Sequence, residues 1–196
     1  MDRKAKVKRK TKETDIALDL NLDGKGVAEI ETGIPFIDHM LCLMATHGFM
    51  DIRISARGDT EIDYHHTIED LGICLGMAID KALGEKKGIR RYGQATVPMD
   101  ESLANVVIDI SNRPFLAYRV TLKERRTGSF DVGILNEFFR ALVNYGGITM
   151  HVDLICGEDP HHVAESIFKA FGRSLDMATR IEKRQEGAIP STKGVL

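Results

Sequence analysis

The pattern His-His-x-x-Glu occurs twice in this chain, at residues 65–69 and 161–165. Each copy opens a stretch with the same apolar spacing. HHTIEDLGICLGMAID (65–80) lies over HHVAESIFKAFGRSLD (161–176) without a gap. Upstream, PFIDHMLCLMATHG (35–48) lies over GILNEFFRALVNYG (133–146) in the same way, down to the final glycine. An internal repeat constrains the fold more than any other feature, because whatever the first half builds the second half must build again.

Glycine, proline and periodicity divide each half. Residues 15–22 alternate apolar and polar, which predicts a strand. Asp23-Gly24 predicts a hairpin, with 27–30 as the returning strand. Ile37, Met40, Leu41 and Met44 have helical spacing, so a helix is expected over 34–46, stopping before Gly48. A strand over 50–56 and a helix over 65–83 complete the half. The second half repeats the order, with strands over 105–110 and 115–122, a helix over 131–145, a strand over 148–155 and a helix over 161–178. The expected class is α+β, with duplicated strand-strand-helix-strand-helix halves, each a small sheet with helices on one face. Residues 1–90 and 91–196 are expected to form one compact duplicated domain, with a polar tail over 181–196.

Composition narrows the function. A chain that is 43% hydrophobic and 29% charged is globular rather than disordered. The net charge of −2 argues against a strongly basic nucleic-acid binder. The start, MDRKAKVKRKTKET, has seven basic residues in its first twelve but no apolar stretch behind them. It is therefore no secretory signal, and it reads as a solvated edge segment. No apolar run approaches the ~20 residues that span a bilayer. Cys42, Cys74 and Cys156 are sparse and include no C-x-x-C, which argues against disulfides and thiolate zinc and for a cytoplasmic protein.

The seven histidines carry the chemistry. On a helix the first His and the Glu of each motif are i and i+4, on one face. The second His is turned by about 100° from the first. Each motif can therefore serve two ions on either side of the helix end. Imidazole and carboxylate together suit Mn, Fe or Zn. His39 and His151 raise the set to six histidines and two glutamates, four ligands per ion, which leaves open positions for a substrate. His47 either caps its helix as a cation or lines a substrate pocket. Arg90, Arg91, Arg113, Lys169 and Lys193, with Ser191 and Thr192, could form an anion site. Taken singly these charges read as solvated, except Lys169, one turn past Glu165. Glu13 reads by itself as a partner for neighbouring lysines. No nucleotide-binding glycine loop and no G-x-S-x-G elbow is present.

The stretches RKTKET, GIPFIDHML, THG, DYHHTIEDLGICLG, GIRRYG, MDE, DISNRP, GITMHV, HHVAESIFKA and PSTKGVL resemble the imidazoleglycerol-phosphate dehydratase family, in its monofunctional form. The resemblance runs from residue 9 to the C-terminus. It implies a carbon–oxygen lyase of histidine biosynthesis that dehydrates D-erythro-imidazoleglycerol phosphate to imidazole acetol phosphate through an imidazolate/diazafulvene intermediate. It implies two Mn²⁺ per active site, one on His39, His66, His161 and Glu165, the other on His65, Glu69, His151 and His162. Substrate contacts are implied for Glu13, His39, His47, His65, Glu69, Arg91, Arg113, His161, Lys169, Ser191, Thr192 and Lys193. Glu13, Glu69 and Glu165 are implied as catalytic carboxylates. The resemblance further implies a cubic-symmetry shell, commonly of twenty-four chains, with the di-metal sites between subunits. No nucleic-acid or membrane partner is expected. Two alternatives share the ligands: a di-metal hydrolase using metal-bound hydroxide, and a metal-binding structural or storage protein.

Overall fold

The structure, a computed structural model, describes residues 3–185 and 187–196. The first half contains β1 (Lys4–Lys10), β2 (Thr14–Asn21), β3 (Ala28–Glu31), α1 (Pro35–His47), β4 (Asp51–Gly58) and α2 (His65–Leu83). The second contains β5 (Tyr92–Met99), β6 (Ser102–Ile110), β7 (Phe115–Arg119), the short pair β8 (Arg126–Thr127) and β9 (Phe130–Asp131), α3 (Leu135–Gly146), β10 (Ile148–Cys156) and α4 (Pro160–Thr179). The strand orders are β1-β2-β4-β3 and β5-β6-β10-β7, one topology built twice. The fold is α+β, as expected.

Each sheet has one strand more than its periodicity suggests. β1 is the basic start: Ala5 and Val7 turn inward, while Lys6 and Lys10 pair outward with Asp19 (2.8 Å) and Asp15 (2.6 Å) on β2. Lysines on an edge strand also discourage pairing with further strands. β5 escapes periodicity because its inward residues are small. A Cβ on Gly93 would lie 1.9 Å from the Ser174 carbonyl oxygen, so α4 rests almost on the strand backbone.

The hairpin expected at Asp23-Gly24 does not form. β3 pairs in parallel with β4 (Ala28 opposite Ile52), and β4 occupies the edge of β2 that a returning strand would need. The connection instead wraps Asp51, whose Oδ1 accepts from the backbone N–H of Lys25 (2.8 Å) and Val27 (3.1 Å). Gly24 is there for close approach, since a Cβ would lie 2.2 Å from the Asp51 nitrogen.

The helices form a layer between the two sheets. α2 covers β1 and β2, and α4 covers β5 and β6; across the layer α2 packs on α3 and α1 on α4. Glycines permit both crossings: a Cβ on Gly76 would lie 2.5 Å from the Leu142 carbonyl oxygen, and one on Gly172 would lie 2.4 Å from that of Met44. Phe138, Phe139, Phe168 and Phe171 fill the second half's side of the layer. All three cysteines are free. No described helix is long and apolar enough to cross a membrane.

Candidate active site

Both His-His-x-x-Glu motifs occupy the first turn of a helix, and an aspartate two residues before the first histidine turns the chain into each. Asp159 Oδ1 accepts from the backbone N–H of His161 (2.7 Å), and Asp63 Oδ1 from that of His65 (2.7 Å). Asp159 is the cap residue of α4, whereas Asp63 stands one position before that of α2; both bonds satisfy an amide group that a helix start leaves unpaired.

At α4 the motif closes into a cluster. Glu165 Oε1 lies 3.1 Å from His161 Nε2, one turn back, and 3.0 Å from His39 Nε2, delivered by α1. Lys169 Nζ donates to the other oxygen, Oε2, at 2.6 Å. Burial pushes the Glu165 carboxyl up, but Lys169, His39 and His161 outweigh it and hold the group at about 2. Donor atoms of His39, His161 and Glu165 all lie within 4.8 Å of one another. Two imidazoles and an ionised carboxylate at that spacing could hold a divalent cation of borderline hardness, and without thiolate the set leans away from structural zinc.

The remaining expected ligands are placed differently. His65 Nε2 stands 3.8 Å from Glu69 Oε2, a loose and exposed pair. His66 presents Nδ1 to Asp59 Oδ2 at 2.9 Å, and His162 presents Nδ1 to Glu101 Oε2 at 2.7 Å. These carboxylates raise the pKa of both imidazoles, and His162 holds the Glu101 carboxyl at about 2. His151 lies on β10 beside Arg119, whose Nη2 is 3.3 Å from its Nδ1. Among the described residues, the chain therefore gathers three of the four ligands implied for one ion, His66 standing apart. For the other ion it brings only His65 and Glu69 near each other. Glu13 carries its carboxylate 3.9 Å from His66 Nδ1.

A second feature is an open cleft of about 660 Å³, lined by Arg91, Arg113, Ser191, Thr192 and Lys193 among others. Asp109 braces it, bonding Arg91 Nε (2.6 Å) and Nη2 (3.1 Å) and Arg113 Nη2 (3.3 Å). Arg91 also donates to the Pro190 carbonyl at 2.8 Å, so the tail forms one wall. Lys169 does not line this cleft; it is engaged by Glu165. His47 lines a different hollow with Phe49, Gln94 and Arg173. Burial, Lys169 and Arg173 lower its pKa, which argues against a cationic helix cap. Sequence reading passed over Asp59, Glu101 and Asp109. Glu101 had a signal: it directly precedes β6 as Glu13 directly precedes β2.

Compared with known proteins, this duplicated α+β arrangement falls among the dehydratases, carbon–oxygen lyases that remove water. The model of one family, imidazoleglycerol-phosphate dehydratase, matches residues 32–175. The protein of that name from Syntrophobacter fumaroxidans is 55% identical over 194 residues, 99% of this chain and 98% of its own. That of Geobacter metallireducens is 55% identical over 196 residues, the whole of both chains. The crystal structure of the Staphylococcus aureus dehydratase superposes with a TM-score of 0.82 at 38% identity, covering 91% of this chain and 99% of that one. The Pyrococcus furiosus enzyme in complex with (S)-C348 gives 0.84 at 37% identity, covering 97% and 100%. The chain belongs to the imidazoleglycerol-phosphate dehydratase family, whose reaction is a step of histidine biosynthesis. A dehydratase takes the place of the hydrolase and storage alternatives.

Proposed function

We propose that this chain dehydrates D-erythro-imidazoleglycerol phosphate to imidazole acetol phosphate with two Mn²⁺ per active site. The observation that carries the reading is the His39–His161–Glu165 cluster, clamped from behind by Lys169. His66 would complete that ion's set; His65, Glu69, His151 and His162 would hold the other. When bound, the ions act as Lewis acids and template, holding the substrate imidazole and drawing electron density from it.

The chain's own groups supply the rest. Arg91, Arg113, Ser191, Thr192 and Lys193 bind the phosphate, with Asp109 keeping both guanidinium groups in place. The proton to be removed from carbon is not next to a carbonyl and is not acidic. The ring therefore first loses its N–H proton to a carboxylate, and its electrons then expel the hydroxyl on the adjoining carbon, which takes a proton back from the carrier and leaves as water, giving a neutral diazafulvene. The next carbon then gives up its proton, the ring is restored, and the resulting enol becomes the ketone. Glu13 is the best-placed proton carrier, because among the described residues the one ion pair of its carboxylate is the loose one with His66, at 3.9 Å. Glu165 is held on both oxygens and acts as a ligand. Glu69, exposed and loosely paired, serves the second ion.

Residues 1–90 and 91–196 act as two halves of one duplicated domain, a reading supported by their identical strand order. The scattered ligands of the second ion support sites completed by neighbouring subunits of a large shell, commonly of twenty-four chains, in the cytoplasm. Incubating the purified chain with imidazoleglycerol phosphate and Mn²⁺ should release a ketone; no ketone from the Mn²⁺-loaded protein would overturn the activity. Chelator should shrink the particle seen in sedimentation; an unchanged large particle after verified metal removal would uncouple assembly from metal.

A further inference from the structure

The two glutamates that directly precede β2 and β6, Glu13 and Glu101, occupy equivalent places of the repeat. Each follows the turn from the edge strand of its sheet, and each faces the second histidine of its half's motif. Their contacts differ. Glu101 Oε2 is 2.7 Å from His162 Nδ1, and its Oε1 accepts from Ser102 Oγ (2.9 Å) and from the backbone N–H of Asp159 (3.1 Å). Asp159 in turn caps α4 through His161 and His162, so Glu101 fixes both the ring and the turn that carries it. Glu13 stands off His66 at 3.9 Å, because a different carboxylate, Asp59, has taken His66 Nδ1 at 2.9 Å. Asp59 is mostly buried, and its Oδ1 is buried with no hydrogen-bond partner among the described residues, a cost that an ordinary surface turn residue does not carry.

We propose that Glu101 and Asp59 are positioning residues that hold Nδ1 of His162 and His66 and leave Nε2 for the ions, and that Asp59 thereby frees Glu13, the repeat mate of Glu101, for proton transfer. A carboxylate on one ring nitrogen fixes the orientation and tautomer of a metal-binding imidazole. This rests on the reading of His66 and His162 as ligands.

Mn²⁺ binding to the full-length protein, measured by equilibrium dialysis with elemental analysis, separates the roles. Wild type should hold two ions per chain. Glu101→Ala should weaken one of them by about 10–100-fold and the other, whose His161 shares the Asp159 turn, by less. Glu101→Gln keeps an oxygen near Nδ1 and should lose measurably less than the alanine variant. Excess Mn²⁺ should restore kcat in both variants with KM unchanged. Glu13→Gln should retain both ions at wild-type affinity and lose kcat, which excess Mn²⁺ should not recover. Wild-type affinity for both ions in the Glu101 variants would overturn the proposal, as would a kcat deficit that saturating Mn²⁺ leaves in place. Should Glu101→Ala not fold, Glu101→Gln decides alone, and no measurable weakening overturns the proposal. A wild-type protein that binds fewer than two ions would instead overturn the ligand reading beneath it.

Discussion

The first turns of α2 and α4 carry the same five-residue pattern and the same aspartate turn, yet they stand in different company. Glu165 has a side chain only 10% exposed and is held by Lys169, His39 and His161; Glu69 is 47% exposed and, among the described residues, meets only His65, at 3.8 Å. The cause lies in the neighbouring helix. α1 delivers His39 to α4, whereas its repeat counterpart α3 presents Glu137 at that place, paired with Arg140 at 3.5 Å. Conversely, β10 carries His151 where β4 carries Arg53, which is bonded to Glu29. Duplication supplied the geometry twice, and divergence of single residues then gave the copies different work. Among the described residues, one motif finds its third donor inside the chain and the other has only its own two.

The sharpest way to break this contrast is to remove one donor from each motif. Glu165→Gln should lose an ion and reduce turnover by more than about 10³-fold, since a Lewis-acid ion supplies several kcal/mol. His65→Ala should cost turnover as heavily. Assayed as isolated subunits, however, it should leave the ion at the α4 cluster in place. Full metal content in Glu165→Gln by elemental analysis would remove the cluster from the site.

A smaller effect is expected at the anion cleft, which belongs to the second half alone. Lys193→Ala should lower kcat/KM by about tenfold to a hundredfold, mostly through KM, because a charge-assisted bond is worth about 1.5–3 kcal/mol. Mn²⁺ content should not change. A normal KM would remove the tail from substrate binding.

Where the halves are alike, matched substitutions should have matched effects. Gly76→Ala and Gly172→Ala each force a methyl group against a carbonyl oxygen and should each cost about 1–3 kcal/mol. For a chain of this size that is a fall in Tm of roughly 2–4 °C per kcal/mol. Unequal losses would show that one crossing has relaxed.

The smallest effect concerns pH in the metal-free protein. Asp59 and Glu101 raise the pKa of His66 and His162 above the ordinary value of 6.5. That contribution to stability is fully present below 6.5 and is lost as pH rises through the raised values. Asp59→Asn with Glu101→Gln should flatten this part of the stability profile. Adding metal should reverse its slope, because ligation needs the neutral ring.

Much of this was legible in the letters. The repeat, the four helices and the central strands follow from apolar spacing, and the His-His-x-x-Glu pairs stand out because they recur. β1 and β5 were obscured because lysines crowd one strand and glycine, alanine and proline interrupt the other. The parallel partner of β3 was hidden because Asp23-Gly24 has hairpin chemistry, and only the three-dimensional claim of Asp51 on that turn redirects it. Asp59, Glu101 and Asp109 look like any acidic residue in a turn or strand. Their importance comes from which ring or guanidinium they face, and spacing along the chain does not encode that.

The crossings at Gly76 and Gly172 carry a consequence for ancestry. Each half covers one side of its helix layer with its own sheet and leaves the other side to be covered by its sister, α2 by α3 and α1 by α4. A chain of half this length would have been an incomplete object, with an oily face and a glycine notch in its second helix. A second copy of the same half, turned about a two-fold axis, would bring an identical notch to the same place and close that face. The present molecule is, in that sense, a dimer whose two subunits have been joined end to end. Once joined, the two copies no longer had to share one sequence, and His39 and His151 could arise on one side each.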